Sequence, residues 1–289
     1  MSNWKRQVNR ALATLTGYQL TRAASGPTSA RMLQSTTGVG SGGATPRTGT
    51  TQLDESPKPS KKSKPAFPVD FDEDYCYIIR AVRPYTMTGN DKLHALISAT
   101  KYIHTHNLPG AVVECGVWRG GSMHAVARTL DALTDHSRDL YLFDTFEGMV
   151  EPTDKDARFD GLTAAELLKT SKRSGKVWAY ASLEDVQEGF SNVPYPSERI
   201  HYIPGRVEDT VPGEAPEQIA LLRLDTDWYE STRHELEHLY PRLVSGGVLF
   251  IDDYGWWQGS RAATDEFLAD TGVQLLLIRT GSGRVAVKR

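Results

Sequence analysis

The chain is poor in cysteine and has no long apolar run. Its 289 residues include only Cys76 and Cys115, with no Cys-x-x-Cys pair and no spacing that indicates a disulfide framework, so a reducing, intracellular compartment fits best. No run of eighteen apolar residues exists, and the N-terminus lacks the apolar core of a secretory signal. We therefore expect no membrane span, no export and a cytoplasmic location.

Acidic residues are almost absent from the first part of the chain. Residues 1–64 contain ten Lys or Arg but only Asp54 and Glu55, a net charge of +8, so the remainder carries −11 of the formal total of −3. An acidic domain of this kind repels polyanions. We therefore expect no nucleic-acid partner.

Composition divides the chain into three parts. Residues 24–68 are dominated by Ser, Thr, Gly, Pro and Lys, and bury too little apolar surface to fold, which predicts a disordered linker. Residues 1–23 repeat apolar side chains at helical spacing beside basic ones. This segment is either a basic amphipathic helix that contacts an anionic membrane or a partner, or a loosely ordered tail. Residues 69–289 are expected to form the folded domain.

In the folded part, β-prone runs alternate with helical patterns. Strands are predicted at 111–115, 140–143, 200–203, 219–224, 248–251, 273–278 and 285–287, and helices at 92–106, 122–133, 231–243 and 261–271. This alternation predicts an α/β fold with a Rossmann-like, seven-stranded, mostly parallel sheet. The short connection at 280–284 predicts a C-terminal hairpin and one antiparallel edge strand. Such a hairpin is typical of the class I methyltransferase fold.

Acidic residues directly follow two of the predicted strands. Asp225 comes after one, and Asp252 and Asp253 after another, so all three should meet where parallel strands end. Arg223 is the only basic residue in the two runs, so the carboxylates need a further cation, and oxygen ligands indicate a hard divalent metal. Asp227 belongs to the same acidic block, but its place beyond the strand favours a cap on the following helix.

A second set of residues indicates a nucleoside cofactor. Glu114 ends the first strand, and Gly116 and Gly120 lie in the turn after it, without a G-x-G-x-x-G fingerprint. A glutamate there suits the ammonium group of S-adenosylmethionine better than a pyrophosphate. Asp144 ends the next strand, where Rossmann-like folds place a carboxylate on ribose hydroxyls. A simple tight turn and a helix cap remain the alternatives for these two ends.

Seven ordered blocks resemble the macrocin O-methyltransferase family, which includes TylF, MycF and NovP. They begin with Tyr85-Thr-Met-Thr88 and end with Ile251-Asp-Asp-Tyr254; between them lie the blocks at 113–122, 143–149, 182–186, 208–210 and around Asp225. The resemblance implies transfer of a methyl group from S-adenosylmethionine to a sugar hydroxyl, with Mg²⁺. It implies Asp225, Asp252 and Asp253 as metal ligands. The residues expected at the cofactor are Thr86, Met87, Glu114, Gly116, Arg119, Gly120, Ser122, Asp144, Thr145, Phe146, Glu147 and Ser182.

The resemblance also frames the expected reaction. The acceptor would be a glycosylated natural product or a glycan; a catechol-like acceptor and a non-catalytic cofactor-binding module are the alternatives. A metal ion that binds two vicinal hydroxyls of the acceptor would lower their proton affinity. Some family members use a histidine base after the second strand, but this chain has none between His136 and His201, so Asp225 is the predicted proton acceptor. We further expect residues 151–180 to form a mobile lid and the subunits to associate.

Two other features have competing interpretations. The run from His234 to His238 matches the H-E-x-x-H pattern of zinc proteases, but its place on a helix of the predicted sheet favours a solvated, charged helix face. Trp256 and Trp257 follow the aspartate pair and either stack on a sugar face or anchor the loop.

Overall fold

The computed structural model describes residues 67–289, which contain a seven-stranded sheet. The strands are β1 (Ala111–Cys115), β2 (Leu140–Asp144), β3 (Ile200–Pro204), β4 (Ile219–Leu224), β5 (Leu243–Ile251), β6 (Ile278–Thr280) and β7 (Gly283–Val287). Their order is β3-β2-β1-β4-β5-β7-β6; β1 to β5 run parallel, and β7 is antiparallel to both of its neighbours. The predicted α/β fold with a C-terminal antiparallel hairpin is confirmed.

The helices connect these strands and cover the sheet. They are α1 (Glu73–Val82), α2 (Asn90–Thr105), α3 (Gly121–Ala132), α4 (Ala164–Thr170), α5 (Leu183–Phe190), α6 (Val207–Thr210), α7 (Tyr229–Leu239) and α8 (Gln258–Thr271). Short 3-10 helices lie at Arg83–Tyr85, Lys176–Trp178, Ser197–Arg199 and Tyr240–Arg242.

Three details of the predicted elements are wrong. The antiparallel strand is not at the edge, because β7 lies between β5 and β6 and leaves β6 outermost. The strand predicted at 273–278 is irregular up to residue 277, and β6 begins where it was expected to end. The helix predicted to run to Leu243 ends at Leu239, because Pro241 cannot continue the hydrogen-bond ladder, and Leu243 already starts β5.

Alternating side chains of the central strands pack into two hydrophobic layers, one on each face of the sheet. Val112, Leu221 and Phe250 pack with α2, α3 and α5 on one face of the sheet, whereas Val113 and Leu222 pack with α7 and α8 on the other. Burial of each such side chain contributes about 1.5–3 kcal/mol. The two layers fix the sheet, and with it the positions of the loops that follow the strands.

Some predictions concern residues outside this range. The N-terminal segment 1–23, its proposed membrane or partner contact, and nearly all of the 24–68 linker lie outside the described residues. Among helices of residues 67–289, none is both long and apolar enough to cross a membrane.

Candidate active site

The register of the sheet gathers four charged side chains on one face. Glu114 of β1 lies directly opposite Arg223 of β4, which lies opposite Phe250 of β5. Side chains two residues apart in a strand point to the same face. Asp225 and Asp252, each two positions further along their chains, therefore extend the same row beyond the strand ends. The expected meeting of acidic residues at this edge follows from strand parity.

Arg223 is the centre of this row. Its guanidinium donates to Glu114 Oε1, to Asp225 Oδ2 at 2.6 Å and to Asp252 Oδ1 at 2.6 Å. It also donates to Thr88 Oγ1 at 3.1 Å, and its side chain is only 3% exposed. The planar fork of donors suits an arginine for several carboxylates at once. Arg223 is thus one of the cations that hold these acids together.

Lys92 of α2 supplies a second cation that the sequence analysis missed. Its ammonium group bonds to Asp252 Oδ2 and, at 3.0 Å, to the carbonyl oxygen of the same residue. A lone lysine near a helix start carries no sequence signal for such a role. Only the packing of α2 on the Arg223 face brings it to the strand ends.

The three predicted metal ligands converge. One oxygen from each of Asp225, Asp252 and Asp253 lies within 4.8 Å of the others, and this is the one group of three or more metal-ligand side chains within residues 67–289. Asp253 Oδ2 is buried and has no hydrogen-bond partner in this part of the chain. Three carboxylates, one of which has a buried oxygen without a partner, form a donor set suited to a hard divalent cation.

The pKa values of these acids differ because their counter-charges differ. Burial raises the pKa of Asp225 and of Asp253 well above the usual range, and it raises the pKa of Glu114 to about 7 despite the neighbouring Arg223. Burial also opposes ionisation of Asp252, but Arg223 and Lys92 together outweigh it and lower that pKa. Asp252 is therefore the member of the group most firmly held as a carboxylate.

Asp227 does not cap the following helix, contrary to the prediction. It takes a left-handed conformation at φ 69°, and no side chain of the N-cap residue bonds to the start of α7. Burial raises the pKa of Asp227 to about 7. The donor at the start of α7, the Tyr229 backbone N–H, instead meets Oδ1 of Asp156 at 2.7 Å.

Asp156 fastens the predicted lid segment, residues 151–180, to the sheet domain. Besides the bond to α7, its Oδ2 accepts from Thr153 N and Oγ1, and its carbonyl oxygen accepts from Ala164 N. A Cβ atom at Gly259 of α8 would collide with this carboxylate. No local pattern distinguishes Asp156 from the other charged residues of the segment, so its burial was missed, and the mobility of the segment stays a prediction.

The glycines after β1 allow close contact with neighbouring residues, and their contact with a ligand stays a prediction. Gly116 has φ +80°, and a Cβ there would collide with the Asp225 carbonyl oxygen of the neighbouring loop. Gly120 has φ +76° and is the N-cap residue of α3. A side chain at either position would be strained by its backbone and by its neighbours.

Asp144 joins the loops after β1 and β2. Its Oδ2 accepts from the backbone N–H groups of Val117 (2.8 Å) and Trp118 (3.0 Å), and its Oδ1 accepts from Phe146 N. The residue also lines a cavity beside the ends of these strands. It therefore shapes the loop that follows β1, and its contact with a ribose stays a prediction.

A cavity of about 890 Å³ lies above the ends of these strands. Seven of the predicted site residues line it, namely Met87, Gly116, Asp144, Thr145, Asp225, Asp252 and Asp253. The others lie behind or beside its wall. Glu114 is buried against Arg223, with Oε2 lacking a partner within the described residues.

The remaining predicted residues mainly fix the loops around the cavity. Arg119 pairs with Asp185 of α5 at 2.6 Å and donates to Pro84 O. Ser182 caps α5 by accepting from Asp185 N, whereas Ser122 lies 3.5 Å from Thr88 Oγ1. The others are Thr86, which accepts from Thr88 N; Gly120, at the start of α3; Phe146, buried in the core; and Glu147, exposed at the turn.

Trp256 and Trp257 were expected either to stack on a sugar face or to anchor the loop, and the two residues differ in burial. Trp257 is buried and packs edge-on against Trp228, so it anchors the loop. Trp256 is 43% exposed, lines the cavity and lies 5.1 Å from the Phe159 ring of the lid segment. Trp257 also lines the cavity, but Trp256 exposes much more of its ring there.

The H-E-x-x-H run does not form a metal site. His234 bonds to the Val211 carbonyl oxygen, and His238 stacks on His234. Glu235 departs from the expected charged surface, because it is fully buried and bonds to Thr226 Oγ1 beside Asp225. Burial raises its pKa well above the usual range. It supports the loop that carries Asp225 and was missed because its helix was interpreted as solvated.

The strand order, the C-terminal hairpin and the position of the cavity define the class I methyltransferase fold. The profile of the macrocin-O-methyltransferase (TylF) family matches residues 77–286. The protein belongs to this family.

Individual relatives agree with that assignment. The chain is 35% identical over 59% of its length to the 8-demethyl-8-(2,3-dimethoxy-alpha-L-rhamnosyl)-tetracenomycin-C 4'-O-methyltransferase of Streptomyces olivaceus, and spans 62% of that protein. It is 31% identical over 64% of its length to the demethyldecarbamoylnovobiocin O-methyltransferase of Streptomyces niveus (68% of that protein), and 35% identical over 59% to the mycinamicin III 3''-O-methyltransferase of Micromonospora griseorubida (65%). Two of these matches span less than two thirds of the relative.

Solved structures show the same fold. The O-methyltransferase NovP superposes with a TM-score of 0.63 at 30% identity, over 71% of this chain and 82% of NovP. The calicheamicin methyltransferase CalS11 gives a TM-score of 0.51 at 17% identity, over 74% of this chain and 91% of CalS11.

Proposed function

We propose that this protein is an S-adenosylmethionine- and Mg²⁺-dependent O-methyltransferase that acts on a sugar hydroxyl of a glycosylated natural product or glycan. The observation that carries the proposal is the convergence of Asp225, Asp252 and Asp253 in the cavity that the cofactor-side loops also line. Membership in the macrocin O-methyltransferase family supports the class of reaction.

The residues present fit the metal. Asp225, Asp252 and Asp253 would hold it, and the buried, unpartnered Asp253 Oδ2 is an oxygen that needs a cation or a proton. When bound, Mg²⁺ lowers the proton affinity of a coordinated hydroxyl and orients it. Arg223 would keep Asp225 and Asp252 in place through its two bonds of 2.6 Å.

The residues present also fit S-adenosylmethionine, which supplies the methyl group when bound. Glu114 Oε2 is a buried acceptor without a partner in the described chain, and it suits the ammonium of the methionine end. Asp144 and Thr145 would hold the nucleoside end, and the Gly116 turn lets the backbone approach it. Met87, exposed at the cavity wall, would separate the donor from the acceptor side.

Asp225 is the proposed proton acceptor. It faces the cavity and its side chain is 25% exposed, so its carboxylate is accessible to an acceptor hydroxyl. Holding the acceptor oxygen in line with the methyl group would supply several kcal/mol of the acceleration. No histidine lies in the lid segment to take this role.

A sugar acceptor is favoured over a catechol by two observations. The name of the Streptomyces olivaceus relative specifies 4'-O-methylation of a tetracenomycin that carries a rhamnosyl group, and the name of the Micromonospora griseorubida relative specifies 3''-O-methylation of mycinamicin III. The exposed Trp256 ring at the cavity offers the flat apolar surface on which sugar faces stack. The complete aspartate group argues against a non-catalytic module.

Transfer of label from methyl-labelled S-adenosylmethionine to a panel of deoxysugar glycosides and catechols tests the proposal. We expect labelled glycosides in Mg²⁺, loss of at least about tenfold in rate after chelation and recovery on adding Mg²⁺. Asp253→Asn should lose activity similarly, whereas Asp154→Asn, an exposed change, should not. Equal product with and without chelator would refute the metal dependence, and label only in catechols would refute the sugar acceptor.

A further inference from the structure

Lys92 places a positive charge on a carboxylate that the proposed metal needs. It lies in the first turn of α2, its side chain is 13% exposed, and it borders the cavity. Its ammonium group bonds to Asp252 twice, through Oδ2 and through the backbone carbonyl oxygen. Such double contact fixes the group at the acid cluster rather than at the surface.

Both carboxylate oxygens of Asp252 are consequently engaged by cations. Arg223 holds Oδ1 and Lys92 holds Oδ2. A divalent ion bound by Asp225, Asp252 and Asp253 must share one of these oxygens or displace its partner. The metal ion, Arg223 and Lys92 therefore compete for the two carboxylate oxygens of Asp252.

Lys92 is the partner that can yield. Arg223 is enclosed and also holds Glu114 and Asp225, so moving it would leave several buried charges unpaired. Lys92 has a flexible four-carbon stem, a cavity beside it and a second acceptor in the Asp252 carbonyl oxygen.

We propose that Lys92 competes with the metal ion for Asp252 and so lowers the affinity of the site for divalent cations. This inference rests on the proposed function, specifically on its metal site. Like charges at one carboxylate repel each other, and in a partly buried site the repulsion is weakly screened. Metal binding would then require the ammonium group to move off Oδ2. Oxygen ligands from the acceptor would contribute a larger share of the binding of the ion.

Isothermal titration of the full-length protein with Mg²⁺ and with Mn²⁺ tests the competition. Lys92→Met keeps most of the side-chain volume and removes the charge, and should bind both ions about fivefold more tightly or better. Lys92→Arg should stay near the wild type. Lys101→Met is the matched control, because Lys101 lies on the same helix and pairs with Asp74 at 2.5 Å on the surface. The affinity of this variant for Mg²⁺ and Mn²⁺ should equal that of the wild type.

A second readout guards against loss of structure in the variant. The rise in melting temperature on adding Mg²⁺ should be larger for Lys92→Met than for the wild type, because tighter binding stabilises the folded state more. Unchanged or weaker metal binding by Lys92→Met, with clear binding by the wild type, overturns this inference alone. Absence of binding in both proteins overturns the metal site and this inference together.

Discussion

Arg223 is the residue on which the charge balance of the site depends. It is buried and bonds to three carboxylates and Thr88, so its removal would leave Glu114, Asp225 and Asp252 facing one another. Loss of one partner of a buried ion pair costs about 3–5 kcal/mol.

We therefore expect Arg223→Met to lower the free energy of unfolding by about 3–5 kcal/mol, measured by urea denaturation. Arg223→Lys should be intermediate, since one ammonium cannot reach all the acceptors. The control is Arg233→Met, which breaks pairs with exposed partners, Glu237 and Asp270, and should cost under about 1 kcal/mol. Equal losses in the two methionine variants would contradict a structural role for Arg223.

Because of His124, the free energy of unfolding should decrease as the pH falls. His124 is buried between Tyr85 and Phe190, and burial, with help from Arg128 and Arg119, lowers its pKa to about 3. The unfolded chain takes up a proton below pH 6.5, whereas the folded protein does not until about pH 3. Acid therefore favours the unfolded state, and the loss grows as pH falls from 6.5 towards 3.

Between pH 7.5 and 5.0 this residue should account for about 2 kcal/mol of lost stability. The free energy of unfolding of His124→Gln, measured by urea denaturation, should therefore fall by about 2 kcal/mol less than that of the wild type over that interval. His106→Gln, at the exposed end of α2, should follow the wild type. Parallel pH profiles for His124→Gln and the wild type would show that burial of His124 is not the cause.

At the scale of elements, the lid segment depends on one buried aspartate. Asp156 supplies the cap of α7 and holds Thr153, while Trp228 Nε1 donates to Val150 O nearby. The segment is thus tied at its start, and Phe159 at its tip is 60% exposed.

Asp156→Ala should cost about 1–2 kcal/mol, the usual value of a lost cap, and should speed cleavage by trypsin at Lys155 and Arg158. Urea denaturation and mass spectrometry of timed digests measure the two effects. Asp154→Ala, an exposed change two residues away, should alter neither. A digest of Asp156→Ala with wild-type kinetics would mean that other contacts hold the segment.

At the scale of the whole molecule, the described part of the chain contributes residues from most of its length to the cavity. Its lining residues extend from Pro68 to Ser282. We expect a protein without residues 1–66 to bind S-adenosylmethionine with an affinity within about twofold of the full chain, measured by calorimetry. A loss of more than about tenfold would show that the N-terminal part contributes to the site. The domain division near residue 68, the association of subunits and the cytoplasmic location all stay predictions.

Much of this architecture follows from local pattern. Apolar runs, their spacing and the short 280–284 connection determined the sheet, its hairpin and the gathering of Asp225, Asp252 and Asp253 at the strand ends. Strand parity could even have placed Arg223 opposite Glu114, since the alternation of side chains is readable once the strands are paired.

Other features were decided only by tertiary packing. Lys92 reaches Asp252 across 160 positions of sequence, and Asp156 reaches Tyr229 across 73. Neither position differs locally from an ordinary surface charge, and burial, which depends on distant elements, gives each its role. The sequence by itself thus determined the fold and the acidic residues of the site; the tertiary structure decided which cations balance them, because counter-charges are selected by proximity in space rather than along the chain.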